Sequence, residues 1–275
     1  MPDVISLVGC GGKTSLMWSL AGKARGQHHV CGQDLPLRCL KENPPPQKKI
    51  LVTTTTHTQR PSTVARLFDR FIDELEAQCI ADGSACAGGG ITFAGCIDQG
   101  SGSLHSFSLP LLESIIPHFD YVLIEGDGSR SMPLKGWADY EPVITKSTTV
   151  TIGILPVWTV GMPVSDTIIH RLPLWLSLTG ARENGIISAQ HLANTIYATS
   201  ETASSTKSLF SSAAGKKILF FSQVKNEHDA EIAQAIFNLL PKDFCASLDS
   251  VIAGNVQAGT LLLSPAYILQ GLGMF

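Results

Sequence analysis

A chain of 275 residues, 44% hydrophobic and 16% charged, holds enough apolar side chain for one large α/β domain or two small ones, which excludes global disorder. Its formal charge of -3 brings neither the basic stripe of a nucleic-acid binder nor an acidic tail, and no apolar run approaches the ~20 residues that span a bilayer. Seven cysteines (Cys10, Cys31, Cys39, Cys79, Cys86, Cys96, Cys245) lie without a CxxC pair, and Asp3 precedes an apolar run too short for a signal peptide. Reduced thiols in a soluble cytoplasmic protein are therefore expected.

Val4 to Val8 is a short apolar run ending at glycine and predicts a buried strand. Thr14 to Arg25 follows as a helix, with Leu16, Met17, Leu20, Ala21 and Ala24 on one stripe. From Gln27 to Lys49 the chain turns polar and proline-rich ("ENPPPQKK") and reads as a surface insertion holding the histidines of "QHH". Ile50 to Thr56, "ILVTTTT", is β-branched and predicts a second strand. Ser62 to Gln78 carries Val64, Leu67, Phe68, Phe71, Ile72 and Leu75 at helical spacing.

Residues 83–103 are glycine-rich and predict loops around a short strand or hairpin at "ITFAG". Leu109 to Ile116 is expected as a helix closed by Pro117, and "YVLIEGDGSR" as a buried strand ending in acid. "TVTIGILP" is the next strand, followed by helices near 171–179 and 188–200. A Ser/Thr/Ala stretch at 199–214 reads as a surface linker. "KILFFSQ" as strand, Glu227 to Leu240 as helix and "SVIAGN" as a final strand complete the pattern. Strands alternating with helices predict one α/β domain over 1–275 with a mostly parallel, doubly wound sheet of the P-loop NTPase-like kind. Ligands of such sheets sit at the strands' carboxyl ends, where the polar residues fall here: after Val8, Val52 and Ile124.

The stretch "VGCGGKTS" places Gly9, Cys10, Gly11, Gly12, Lys13, Thr14 and Ser15 between the first strand and its helix. A helix N-terminus presents unpaired N–H groups and a partial positive charge. Glycines let the backbone approach an anion, lysine adds a point charge, and a hydroxyl beside it can ligand Mg²⁺. The first glycine of G-x-x-x-x-G-K-[ST] is replaced by Leu7, so the loop has a shorter G-x-x-G-K-T form, similar to that of Mur-type ligases. A metal-side carboxylate is then needed at a neighbouring strand end. Glu125 and Asp127 are the candidates, two residues apart and so on one side of an extended chain. Thr55 or Thr56 offers a further hydroxyl. His57 is read either as a general base or as a surface histidine. Arg130 and Lys135 are candidates to neutralise a transferred phosphoryl group or an anionic substrate. No role is fixed for His170, since Pro163 and Pro173 argue against a helix joining it to Asp166.

Four stretches, "VGCGGKTSLM", "ILVTTTTH", "FDYVLIEGDGSRSMPLKGWADYEPVI" and "IIHRLPLWLSLTGARENGIIS", together resemble the YqeC family from about residue 4 to about 255. The resemblance implies an NTP-binding fold and a role beside selenium-dependent molybdenum hydroxylases, in maturing a selenium- or molybdenum-containing cofactor. It matches Gly9, Gly11, Gly12, Lys13 and Thr14 to a nucleotide loop, and Thr53 to His57 to a threonine run. Glu125, Asp127, Gly128, Ser129, Arg130, Pro133, Leu134, Lys135, Glu141 and Pro142 match an acidic motif, and His170 with Arg171 a later pair. Gly126 and Tyr140 depart from the family's alanine and histidine, and "SQVKN" lacks the Asn-Lys-x-Asp pattern that selects guanine.

The expectation is an enzyme that binds ATP or another NTP with Mg²⁺ and cleaves or transfers phosphate. Catalytic roles fall to Lys13, Asp127, Arg130 and Lys135, nucleotide binding to residues 9–15, and metal binding to Thr14, Thr55, Glu125 and Asp127. The expected partners are the nucleotide and a selenium-dependent molybdenum hydroxylase or its maturation proteins, with no nucleic acid or membrane. The alternatives are a nucleotide-gated carrier that turns over slowly and a Mur-like ligase, for whose substrate domains the chain leaves little room.

Overall fold

The computed structural model describes residues 1–25, 47–56, 58–59, 67–98, 100, 103–198, 207–256 and 260–262. Most of the proline-rich insertion, "QHH" and His57 lie outside the described residues. In chain order the elements begin with β1 (Asp3–Gly9), α1 (Lys13–Ala24), β2 (Lys49–Thr54), β3 (Thr58–Gln59), β4 (Arg70–Ile72) and α2 (Glu74–Ala81). Then come β5 (Gly90–Ala94), β6 (Cys96–Ile97), β7 (Ser103–His105), α3 (Leu109–Ile115), β8 (Tyr121–Glu125), β9 (Leu134–Lys135) and β10 (Val150–Pro156). The rest are β11 (Ile169–His170), α4 (Leu172–Thr179), α5 (Ala189–Ile196), β12 (Lys216–Ser222), α6 (Glu227–Asn238), α7 (Lys242–Ala246), β13 (Ser250–Asn255) and β14 (Thr260–Leu262).

β1 is buried from Val4 to Gly9 because strands pair with it on both sides. The main sheet runs β14-β13-β12-β10-β1-β8-β2-β5-β4. It is parallel throughout except for β14, which pairs antiparallel with β13 at one edge. Alternation along the central strands assigns each side chain to a face. Ile5, Leu7, Ile50, Val52, Leu123, Ile152 and Ile154 pack against Leu16, Met17, Leu20 and Ala21 of α1. On the opposite face Val4, Leu51, Val122 and Ile124 meet Ala77 and Ile80 of α2 and Leu112 and Ile115 of α3. Further along that face Val8, Leu155, Leu219 and Phe221 meet Trp175 of α4, Ile196 of α5 and Ile236 of α6. Helices thus cover both faces, and the chain is an α/β protein with a doubly wound parallel sheet. Among the described residues no helix is long and apolar enough to cross a membrane.

Three expectations change, and one pair of alternatives is decided. The helix expected over Ser62 to Gln78 is, among its described residues, a strand at β4 followed by α2. Asp73 accepts from the Glu76 amide and caps α2 there, an N-cap that starts a helix where the apolar spacing alone suggested continuation. Of the two readings of "ITFAG", the short strand holds: β5 lies between β2 and β4, and the hairpin is β6–β7 beyond it. Lys49, read as the end of the insertion, already opens β2. Finally, the 199–214 stretch is not all surface, since residues 208–210 are buried, with Leu209 and Phe210 against the sheet, while Ser211 is exposed.

Gly153 of β10 makes room for these two residues: a Cβ there would stand 2.9 Å from Leu209 Cδ2, with Phe210 closer still. Gly153→Ala is expected to cost about 1–3 kcal/mol through overpacking. A urea midpoint that falls while the slope holds would show it; an unchanged midpoint would mean that the 209–210 segment does not pack here.

Candidate functional site

Three backbone positions in a conformation that side chains disfavour shape the loop after β1. Gly9, Gly11 and Gly12 have φ of 98°, 70° and 136°, values that glycine adopts without steric penalty. Contacts enforce the choice as well. A Cβ on Gly9 would meet Leu209 Cδ1 at 2.8 Å, and one on Gly11 would meet Pro156 Cγ at 2.5 Å. Ser222, at the end of β12, donates its hydroxyl to the Gly11 carbonyl at 2.6 Å. The loop is therefore clasped by the carboxyl ends of β10 and β12 on one flank.

Asp127 clasps the other flank. Its Oδ1 and Oδ2 accept from the Gly9 amide at 3.0 and 3.1 Å, and Oδ2 also accepts from Trp137 Nε1 at 2.7 Å. The residue is fully buried. Glu125 and Asp127, expected on one side of the strand end, both stand near Lys13 Nζ, at 3.7 and 3.4 Å. Lys13 itself is buried and also donates to the Gly9 carbonyl. Burial works against its charge, but Asp127 and then Glu125 outweigh it and hold the ammonium above the usual lysine pKa.

Lys135 lies behind Asp127. It is fully buried in β9, 3.4 Å from Asp127 Oδ2, and donates to Glu141 Oε2 at 2.8 Å and to the Gly128 carbonyl at 2.7 Å. Glu141 in turn accepts from Arg171, whose guanidinium also lies over the Tyr140 ring and donates to its hydroxyl at 3.1 Å. The result is an alternating row, Glu125–Lys13–Asp127–Lys135–Glu141–Arg171, three anions against three cations. Sequence reasoning found the first four members. It listed Glu141 and Arg171 only by resemblance, since nothing in local spacing places a residue of β11's end beside one thirty positions earlier.

The remaining expected residues are placed as follows. The Cys10 amide donates to Ile154 at 3.0 Å, and its thiol is buried, which pushes its pKa up to about 12 against the pull of Lys13 and Lys135. Thr14 is exposed and Ser15 half-buried at the start of α1, a helix with no side-chain cap. The first-turn amides of any helix lack intrahelical acceptors. Among the described residues, the Gly11 and Gly12 amides also make no hydrogen bond. The Thr55 hydroxyl donates to the Val143 carbonyl at 2.8 Å, and that of Thr54 to Glu125 at 3.1 Å. Arg130 is exposed on the loop after β8. His170, half-buried, pairs in register with Lys135 in the β9–β11 ribbon. Among the described residues no group of three His, Cys, Asp or Glu is arranged to hold a metal by itself.

The family model described as "YqeC protein" matches residues 37–173. That segment includes the acidic motif, Lys135, Glu141 and Arg171 but begins beyond the glycine loop. A protein of Escherichia coli (strain K12) described as "Uncharacterized protein YqeC" is 28% identical over 202 residues, 70% of this chain. The chain spans just under two thirds of that relative's length, 66%. No solved structure matches significantly. The family model, over just under half of the chain, and this relative together support an assignment to the YqeC family.

Proposed function

We propose that this protein binds a nucleoside triphosphate with Mg²⁺ at the loop from Gly9 to Ser15 and hydrolyses or transfers a phosphate, in the maturation of a selenium- or molybdenum-containing hydroxylase cofactor. The observation that carries nucleotide binding is the geometry of the loop. Three glycines at positive φ shape the turn into an uncapped helix start, the Gly11 and Gly12 amides make no hydrogen bond among the described residues, and Lys13 opens the helix. That arrangement suits an anion with several oxygens. The hydroxylase connection rests on the family resemblance.

The donors fit Mg²⁺, which is usually held by one or two protein oxygens and completed by phosphate oxygens and water. Thr14 and Glu125 are the residues that would hold it, and the ion would supply neutralisation of phosphate charge. Asp127, Lys135 and Thr55, weighed at first as ligand-side residues, are read instead as the frame: each is buried with its polar atoms engaged by protein. Lys13 reaches a phosphate by exchanging the Gly9 carbonyl for the ligand.

A nucleotide-gated carrier is supported by a separate observation. Both acids near the loop are within 4 Å of Lys13, so no carboxylate is set apart as a base for an attacking water. Steady-state phosphate release, measured with candidate acceptors and a hydroxylase partner, separates the two readings: a rate at background selects the carrier.

Thermal-shift measurements with ATP, GTP and CTP, each with Mg²⁺, test the site, because a ligand that binds only the folded state raises its stability. Lys13→Ala is expected to abolish the stabilisation. Thr14→Ala, on an exposed side chain, is expected to keep the fold and lose the Mg²⁺-dependent part. Unchanged nucleotide stabilisation in both variants would remove the assignment. Asp127→Asn separates frame from ligand: as a frame residue its loss lowers stability without nucleotide by about 3–5 kcal/mol, the cost of breaking a buried charge network. Full stability with lost Mg²⁺ dependence would return Asp127 to the metal.

A further inference from the structure

Two side chains from outside the glycine loop fix the orientation of one of its peptides. Ser222 closes β12, where it stands in register with Pro156 of β10. Its hydroxyl donates to the Gly11 carbonyl at 2.6 Å, and Gln223 Nε2 donates to the same oxygen at 3.3 Å. Ser222 is buried and Gln223 half-buried. The Pro156 ring fills the space beside Gly11, since a Cβ there would stand 2.5 Å from its Cγ.

Gln223 reaches Gly11 from a costly backbone. Its φ of 60° lies in the left-handed region, which contacts of the β-carbon disfavour for residues other than glycine. The chain leaves β12 through it and returns at once to the sheet, where the Val224 amide donates to the Gly254 carbonyl at 3.2 Å. Such conformations persist where surrounding contacts over-determine them, and they gather at ligand clamps.

A trans peptide is planar, and its C=O and N–H point to opposite sides. The Gly11 carbonyl and the Gly12 amide belong to one such unit. With the oxygen turned to Ser222 and Gln223, the Gly12 N–H is directed away from the end of β12, and it makes no hydrogen bond among the described residues. The unit shared by Gly9 and Cys10 differs: Lys13 holds its oxygen and Ile154 its N–H. Glycine on both sides of the 11–12 peptide lets that unit turn over at little steric cost, so the two donors decide which way its N–H points.

We propose that Ser222 and Gln223 are positioning residues of the phosphate site, which hold the Gly11 carbonyl so that the Gly12 N–H is presented to a phosphate oxygen of the nucleotide. This rests on the nucleotide reading above. The segment after β12, without the pattern that selects guanine, then serves the phosphates rather than the base.

The test compares the unaltered chain with Gln223→Met, Ser222→Ala and the double variant, using the one of ATP, GTP and CTP with Mg²⁺ that stabilises the unaltered protein most. Affinity, the urea midpoint without nucleotide and the NMR signals of the Gly11 and Gly12 amides are read in each. Each single variant is expected to weaken binding roughly two- to tenfold, the worth of one neutral hydrogen bond, and the double variant more. Nucleotide is expected to shift both amide signals in the unaltered protein, whereas the double variant keeps the Gly11 response and loses that of Gly12. Unchanged affinity in the double variant, or a Gly12 amide that ignores bound nucleotide in the unaltered protein, overturns the positioning role and leaves the nucleotide reading standing. A lower urea midpoint with both amide responses intact marks a purely structural role and overturns the proposal as well. Should the Ser222 variants fail to fold, Gln223→Met alone decides, and intact affinity there overturns it. If no triphosphate binds the unaltered protein, the nucleotide reading and this proposal fall together.

Discussion

Six charges in alternation hold this site together. Each buried ion costs several kcal/mol to remove from water, and mutual attraction offsets that only when every charge has opposite neighbours in good geometry. The row from Glu125 to Arg171 meets the condition by running through four parts of the chain: the end of β8, the start of α1, β9 with its following loop, and the entry to α4. Asp127 and Lys13 both join the row to the backbone of the glycine loop, one at the Gly9 amide and the other at the Gly9 carbonyl. Another loop shape would cost two buried charges these bonds, which favours the observed conformation before any ligand arrives. Preorganisation of that kind removes an ordering cost from binding.

The loop's amides divide into two sets. Those of Gly9 and Cys10 are engaged by Asp127 and Ile154 and anchor the turn; those of Gly11 and Gly12 make no hydrogen bond among the described residues. Lys13 belongs to both sets, as it balances two carboxylates and stands at the helix start. Under the proposed reading, a polyphosphate that drew Lys13 away would take part of the counter-charge from Glu125 and Asp127 while bringing more negative charge near. A divalent cation at Glu125 and Thr14 would restore the balance, so the proposal carries an expectation of Mg²⁺ dependence that needs no sequence motif.

The long elements were legible because they obey simple periodicities. β1, β8, β10 and β12 are continuous apolar runs, as strands buried on both faces must be, and α1 and α6 begin and end near the expected residues. Short pieces escaped: β4, β9 and β11 are two or three residues each, too brief for alternation to register. The 62–78 error has the same root, since Phe71 and Ile72 fit a helical stripe and a short edge strand equally well. At the site, glycines, Lys13 and the acid pair were readable from spacing. The functions of Asp127 and Lys135 were not, because carboxylate and ammonium types fit a metal site and a buried ion pair alike, and only burial separates them.

What distinguishes this protein from a generic phosphate loop is therefore the ribbon that local pattern could not reveal. β9 and β11 contribute four residues, two for the core and two for charge, and the pairing brings Lys135 and His170 to one face. Lys135 stabilises the loop from behind, and His170 receives the electrostatic consequence of that row without joining it. The same ribbon carries the row on to Glu141 and Arg171 and so ties the glycine loop to the entry of α4.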